Sequence, residues 1–594
     1  MKFAVAFIIV AFLLIGNAFS SVQQKEILHA IENGIDKLIS GGTPPAFLFN
    51  AVKNISQIQD ESEHDETICK SCQLVLNNVI AYRRSGAHKK SMMSYLKALC
   101  NVFSDYGSVA CSGYVEIEIV RKTERDTVLF IIDNKRNLTP ERVCSIHFQA
   151  NKCQDPDADK WVIPLPPALN ASKAIARETD QTTSIKVLHL TDIHYDPQYQ
   201  PDSNAECDEP LCCQNGTASD PKNAAGYWGD YHVCDMPQHS VENLLAHIKE
   251  HHVKDIEYVY YTGDIISHKS WTTSKEENTK TIKYIYGRFA DVFQNKTVYP
   301  ILGNHEPHPT DFYSSDGVSQ DHVTTQWIFN LSATEWSRWL PDDTSATILK
   351  GGYYTVLVRP GFRIVALNSN VCFTSNLWLA YEDRDPHQQL TWLVEVLHKA
   401  EQLNERVHIL SHIPPGEILC HKQWSNQFRK IINRFANTIS AQFNGHTHID
   451  EFRVFYSPDK PDRVINVAFN GASFTTFVGF NPNFRIYQVN SSDAMVANFD
   501  QFIYNLTRAN EKKTAPEWYK LYSFKEAYGL PDLKLDRFGD LLQKMSNSLD
   551  LMWQYYRFLV RDSDVKIKEG CDTKCLKQLL CYITAVETNE SVNC

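Results

Sequence analysis

Five short stretches of this chain each end an apolar run in residues that bind metal ions. Val187, Leu188 and Leu190 precede Asp192 and His194; Val259, Tyr260 and Tyr261 precede Asp264 and His268; Ile301 and Leu302 precede Asn304 and His305; Ile409 and Leu410 precede His412; Ala441 and Phe443 precede His446 and His448. A short apolar run has the length of a buried strand. On extended backbone, residues two apart leave on the same side, so Asp192 with His194, and His446 with His448, can face a common point. Imidazole nitrogen with carboxylate or amide oxygen, and no thiolate, is a donor set for zinc and, less selectively, for manganese or iron. Gly263, Gly303 and Gly445 stand immediately before ligand positions, where a strand turns sharply and its backbone comes close to the site. Any single one of the 22 histidines is most simply a packed or solvated side chain. It is the repetition of one construction that marks a site.

Read in order, the blocks are D-x-H, G-D, G-N-H-E, H and G-H-x-H, and in this the chain resembles the calcineurin-like metallophosphoesterases. The resemblance implies two divalent ions, with zinc the ion it names. Asp192, His194 and His448 would hold one, and Asn304, His412 and His446 the other. Asp264 would bridge them, since two cations roughly 3.5 to 4 Å apart repel strongly unless an anion lies between. A water activated by both ions would attack phosphorus in line with the leaving oxygen, while the ions neutralise charge on the phosphoryl oxygens. The leaving alkoxide then needs a proton. His305, beside Asn304 but outside the ligand set, is the candidate general acid. His268, in the same block as Asp264, is a second candidate donor to phosphate or acid; its plain alternative is a loop histidine with no role.

Bringing five strand ends together requires a sheet. From 185 to 503 strand-like runs alternate with helical ones such as VENLLAHIKEHH and QQLTWLVEVLHKAEQL, an α/β pattern that places ligands on loops at strand ends. With the resemblance, this becomes a calcineurin-like β-sandwich flanked by helices as the catalytic domain. In the C-terminal region, 504–594, PEWYKLYSFKEAYGLPDL and RFGDLLQKMSNSLDLMWQYYRFLV show helical spacing with aromatic residues. They read as helices packed on the catalytic domain, with a separate binding role as the alternative.

At 594 residues the chain exceeds a single ordinary core. Its 43% hydrophobic and 22% charged residues are those of a globular protein. A net charge of -11 and the lack of a basic tract argue against a nucleic-acid partner. Residues 1–20 carry Lys2, an apolar run from Phe3 to Ile15 too short to span a bilayer, and the small-x-small ending Ala18-Phe19-Ser20. This reads as a signal peptide, and hence a secreted or lysosomal protein of the secretory pathway. The even count of 16 cysteines suits that oxidising compartment. Glycosylation acceptors stand at Asn54, Asn170, Asn215, Asn295, Asn330, Asn490, Asn505 and Asn589, while Pro140 weakens the one at Asn137.

A polar N-terminal segment, 21–64, leads into a region, 65–157, with cysteines at 69, 72, 100, 111, 144 and 153. Within it ICKSCQLVLNNVIAYRRS and KSMMSYLKALCNVF carry apolar residues three and four apart, as amphipathic helices do. So small a region needs bridges to hold it. It resembles a saposin B-type domain, a small all-α disulfide-bonded module. That implies Cys69 with Cys153, Cys72 with Cys144 and Cys100 with Cys111, and an apolar face that meets lipid. The alternative is a module that merely caps the catalytic domain. Residues 158–184, including PLPPALN, read as a Pro-rich linker that lets the modules move. The resemblance also pairs Cys207 with Cys212, Cys213 with Cys234, and Cys372 with Cys420, and Cys571–Cys575 and Cys581–Cys594 would staple the end. A zinc knuckle at 207–234 is the rival, against which stands the lack of CxxC spacing there.

Module, linker, metal blocks with GHTHIDEF and HIPPG, and cysteine-bearing C-terminus together resemble the acid sphingomyelinase family. This implies hydrolysis of the sphingomyelin phosphodiester to ceramide and phosphocholine. The substrate would be taken from membranes or lipoproteins through the saposin-like domain, by peripheral membrane contact, with no stable protein partner. A phosphodiesterase for soluble nucleotide-type esters and a lipid-binding protein with an inactive hydrolase domain are the rivals. The lipid-type module argues against the first and the intact ligand set against the second.

Overall fold

The computed structural model describes residues 21–40, 43–58, 60–103, 107–119, 127–155, 160–169, 183–320, 323–512 and 514–594. The leader expected at 1–20 and the acceptor Asn170 lie outside them. Four of the apolar runs before the ligand blocks lie in strands of two six-stranded sheets, and the fifth, Ile301 and Leu302, continues directly from a strand that ends at Pro300. One holds β1 (Ser184–Leu190), β2 (Ile256–Tyr261) and β3 (Thr297–Pro300), and the other β4 (Tyr354–Arg359), β5 (Phe362–Ala366), β6 (Arg406–Leu410), β7 (Ile439–Asn444), β8 (Phe452–Tyr456) and β9 (Val464–Asn470). The chain then returns to the first sheet with β10 (Asn483–Asn490), β11 (Val496–Ile503) and β12 (Tyr519–Ser523). The orders are β12-β11-β10-β1-β2-β3 and β4-β5-β6-β7-β9-β8, with β1, β2 and β3 mutually parallel and β5, β6, β7 and β9 likewise.

Near-continuous burial along β2, β7 and β9 is what parallel strands covered on both faces require. The sheets meet face to face: Tyr260 Oη and His408 Nδ1 are 2.7 Å apart across the interior, and the Tyr260 ring lies 4.9 Å from that of Phe443. Helices at 238–251, 275–293 and 389–402 add Leu244, Ile285, Phe289 and Leu393 to the same core.

The C-terminal region departs from its helical reading at one place. Tyr519–Ser523 is a strand, paired antiparallel with β11 through Phe502 with Lys520 and Ile503 with Tyr519, so the first sheet runs past residue 503. Pairing with a distant strand outweighed local spacing, because Tyr522 gains burial and donates from its hydroxyl to Asp450 Oδ2 at 2.7 Å. The helices at 535–546 and 549–559 pack as the sequence suggests, with Phe538 5.8 Å from Phe452 and 6.1 Å from Phe469.

Beneath them Asp450 also accepts from Arg485, which is fully buried and donates to Gln501 Oε1 at 2.7 Å and to the Asn470 carbonyl at 2.8 Å. Removing one partner of such a pair strands a charge in the core. Arg485→Met is therefore expected to destabilise the protein by about 3–5 kcal/mol, with much of the loss recovered by adding Asp450→Asn. Chemical denaturation of the disulfide-intact variants measures both.

Among the described residues of the N-terminal part, seven helices form a second core: α1 (Ser21–Ile39), α2 (Ala46–Ile55), α3 (Glu61–Arg84), α4 (Lys89–Phe103), α5 (Gly107–Ile119), α6 (Thr127–Asn134) and α7 (Pro140–His147). Disulfides Cys69–Cys153, Cys72–Cys144 and Cys100–Cys111 cross-link this bundle. The segment 21–64 is thus not simply polar. Ile27, Ile31, Ile35 and Leu38 form an amphipathic stripe, and α1 and α2 bury it against α3 and α4. Their charged intervening residues give a polar composition to what is half a core element.

The bundle docks on the catalytic sandwich. Arg142 pairs with Asp383 at 2.7 Å, Gln149 Nε2 donates to the Cys420 carbonyl at 2.7 Å, and Phe130 lies 5.7 Å from Trp378. Tyr114 Oη and Ser270 Oγ are 2.9 Å apart, which joins α5 to the turn just after His268. Nor does the first part of the Pro-rich segment hang free. Gln427 Oε1 accepts from the Ile163 amide at 3.0 Å, and Arg434 donates to the Pro166 carbonyl at 2.7 Å. Carbonyls that proline leaves without ladder partners are taken up by the helix at 422–434.

Candidate metal centre

The ligand residues leave the C-terminal ends of β1, β2 and β3 in one sheet and of β6 and β7 in the other, so both sheets open onto one crevice. Asp192, His194 and His448 place donor atoms together, as do Asp264, His412 and His446. His448 Nε2 lies 3.1 Å from His194 Nε2 and 3.3 Å from Asp192 Oδ1. Asn304 Oδ1 is 2.9 Å from His412 Nε2 and 2.9 Å from His446 Nδ1. Between the two groups stands Asp264, its Oδ2 3.4 Å from His194 Nε2 and 3.2 Å from His412 Nε2.

Such convergence needs unusual backbone. Asp192, His194, Asp264, His446 and His448 have φ of 50°, 43°, 62°, 73° and 60°, a left-handed region that costs non-glycine residues about 1–3 kcal/mol each. Gly263, with φ of 95°, turns the chain into Asp264, and a side chain at Gly303 would collide with the Asp264 carboxylate.

The donor chemistry fits divalent metal. His194 Nδ1 lies 2.7 Å from the Ile266 carbonyl and His412 Nδ1 2.7 Å from that of Thr262. A carbonyl only accepts, so each Nδ1 carries the hydrogen and each neutral ring turns an Nε2 lone pair toward the oxygens of its neighbours, the second-shell arrangement of metal-binding histidine. Lone pairs facing lone pairs call for positive charge between them. With no ion between them a proton would meet the same demand: burial pushes His194 and His412 down, but Asp192 and Asp264 hold both up at about 9.

Three supports were not assigned a role from sequence. Glu306 accepts from the Ile265 amide at 2.6 Å and the Gly303 amide at 2.8 Å, tying two ligand loops together. Asp311 accepts from Asn304 Nδ2 at 2.8 Å, which turns the amide oxygen toward the histidines. Asp235 accepts from the His268 amide at 2.6 Å, from His268 Nδ1 at 2.8 Å and from Thr475 Oγ1 at 3.0 Å. Glu306 sits inside the G-N-H-E block and was visible there; nothing local marks Asp235 or Asp311.

His268 and His305 join the ligand cluster from one side. Their rings are 4.7 Å apart and lie 4.0 and 4.8 Å from His194, while Phe477 stacks on His268 at 4.0 Å. The remaining disulfides are Cys207–Cys212, Cys213–Cys234, Cys372–Cys420, Cys571–Cys575 and Cys581–Cys594. With Cys213 and Cys234 bonded to each other, and Cys207 to Cys212, no thiolate is left for a zinc knuckle. Among the glycosylation acceptors Asn54, Asn215, Asn295, Asn330 and Asn589 are exposed and Asn490 and Asn505 partly so.

Residues 185–450 match the family model described as calcineurin-like phosphoesterase, and residues 464–594 match that of the acid sphingomyelin phosphodiesterase C-terminal region. The chain is 30% identical to Sphingomyelin phosphodiesterase 1 of Caenorhabditis elegans over 90% of its own length and 95% of the relative's. It is 33% identical to Sphingomyelin phosphodiesterase of Homo sapiens, covering 84% of this chain and 78% of that one. The bovine Sphingomyelin phosphodiesterase is 36% identical over 69% of this chain and 65% of its own length. The two matched regions meet just past the last metal block and the relatives run along most of the chain, so the chain belongs to the acid sphingomyelin phosphodiesterase family of calcineurin-like phosphoesterases.

Proposed function

We propose that this protein hydrolyses sphingomyelin, releasing ceramide and phosphocholine. What chiefly supports this is the pair of donor groups meeting at Asp264, with His268 and His305 beside them, in a chain whose relatives bear that activity in their names. Asp192, His194 and His448 would hold one divalent ion, Asn304, His412 and His446 the other, with Asp264 shared; zinc suits nitrogen and oxygen donors of this kind. Bound there, the ions supply electrophilic charge and make water acidic enough to serve as nucleophile. His305 protonates the departing ceramide oxygen. Burial pushes its imidazole down to about 3, and an incoming phosphodiester anion opposes that by favouring the charged ring. His268 keeps its Nδ1 hydrogen on Asp235, so it donates from Nε2 to the phosphoryl group only as imidazolium, a form that burial opposes and the phosphodiester anion favours.

The N-terminal bundle, read as saposin-like, brings membrane or lipoprotein lipid to this crevice, and its α5 touches the turn that follows His268. Among the described residues no helix is long and apolar enough to cross a membrane, so contact with lipid is peripheral in this reading. Eight disulfides and the exposed acceptor asparagines support passage through the secretory pathway to lysosome or exterior. Phosphocholine release from sphingomyelin vesicles should exceed cleavage of a soluble nucleotide diester by the same preparation. Faster turnover of the nucleotide would replace this assignment.

A further inference from the structure

We propose that the helices α1 (Ser21–Ile39) and α2 (Ala46–Ile55) form a built-in cover over the lipid-binding face of the N-terminal bundle, displaced when the enzyme meets a bilayer. The inference rests on the reading that this bundle engages lipid, and it adds what keeps that face out of water beforehand.

Val75, Val79 and Leu96, on α3 and α4, are the positions whose spacing would line an apolar lipid-facing surface. They are only 2%, 3% and 3% exposed. The side chains that share their core include Ile27, Ile31 and Ile35 of α1 and Leu48 and Ile55 of α2. Stripped of the helix pair, this surface would be an apolar patch of the kind that marks a membrane or partner site.

The attachment is of a kind that can be undone. Residues 21–68 contain no cysteine, whereas the rest of the bundle is locked by three disulfides. Apolar packing and the hydrogen bond from Gln24 Nε2 to Thr67 Oγ1, at 3.1 Å, hold the pair in place. Apolar packing is also what lipid chains offer, so exchange of one for the other gives up little beyond the polar contacts of Gln24 with Thr67 and Glu66.

The helix pair is itself suited to an interface. Phe47 and Phe49 on its outer side are 37% and 41% exposed, and Lys37 lies 5.0 Å over the Phe47 ring. Two short helices that between them carry isoleucine and leucine on one side, Phe47 and Phe49 on the other, and Lys25, Lys37 and Lys53 can lie in the headgroup region. One segment therefore has two apolar resting places, the bundle and the membrane.

The test uses the full-length enzyme, a variant lacking 21–58, and the triple variant Ile27→Ser, Ile31→Ser, Ile35→Ser. Each is assayed on vesicles of phosphatidylcholine, phosphatidylserine and sphingomyelin and on a short soluble phosphocholine ester. Loosening or removing the cover should raise the ratio of vesicle to soluble activity several-fold, and adding back a peptide of residues 21–58 should lower it again. In parallel, Phe49→Trp on the intact chain should be quenched by brominated phospholipid when the enzyme floats with vesicles, relative to the unsubstituted enzyme. An unchanged or lower ratio in variants that keep ester activity overturns the proposal. Should both variants lose ester activity through misfolding, the tryptophan decides: no quenching in vesicle-bound enzyme equally overturns it. Failure of the intact enzyme to float with or hydrolyse vesicles, while it cleaves the soluble ester, would instead remove the lipid reading on which the cover depends.

Discussion

Asp264→Ala is expected to lower phosphodiester hydrolysis by on the order of 10³-fold or more and to reduce metal content at both positions together. Its Oδ2 stands between the imidazoles of the two donor groups, 3.4 Å from His194 Nε2 on one side and 3.2 Å from His412 Nε2 on the other. Its Oδ1 accepts from the His305 amide at 2.9 Å, so the same carboxylate also positions the loop that carries the candidate acid. Removing it takes away the negative charge that lets two cations sit close together. Asp264→Asn, which keeps the shape and the amide contact, separates charge from packing and should lose metal nearly as completely. Elemental analysis of the purified variants, beside an unfolding curve to show that the sandwich persists, measures this. Two ions per chain retained in Asp264→Ala would mean that the carboxylate is not the bridge.

For His305→Ala the expectation is the reverse combination, metal retained and rate lost by about 10²–10⁴-fold on sphingomyelin. His305 is absent from both donor groups assigned to the ions, but with His194 and His268 it forms a third cluster close enough to hold one, so metal lost from His305→Ala would make it a ligand. The loss should depend on the leaving group. An alkoxide needs its proton in the transition state, whereas a nitrophenolate leaves without one, so the nitrophenyl ester of phosphocholine should be nearly unaffected. Equal slowing of both substrates, with two ions still bound, would assign His305 to binding the phosphoryl group.

Much of this centre was legible because each block is local. A strand, a tight turn and a ligand occupy fewer than a dozen successive residues, and the turn has a visible residue requirement, as the left-handed φ of 95° at Gly263 shows. The amphipathic stripe Ile27, Ile31, Ile35 was equally readable by spacing and was hidden only by the polar residues between. β12 was not readable, since Tyr519–Ser523 owes its extended form to β11 and to Asp450, with no preference of its own strong enough to announce it.

The sequence by itself determined the ligand types, their order, the apolar run before each, and the even cysteine content that the eight disulfides use in full. Only the tertiary structure decided which groups meet. Asp235 reaches His268 across 33 residues, His446 reaches Asn304 across 142, and Arg485 finds Asp450 across 35. The physical reason is that periodicity and turn chemistry act over a few residues, while these contacts arise only once two sheets have buried their apolar faces and leave each remaining polar group with one partner within reach.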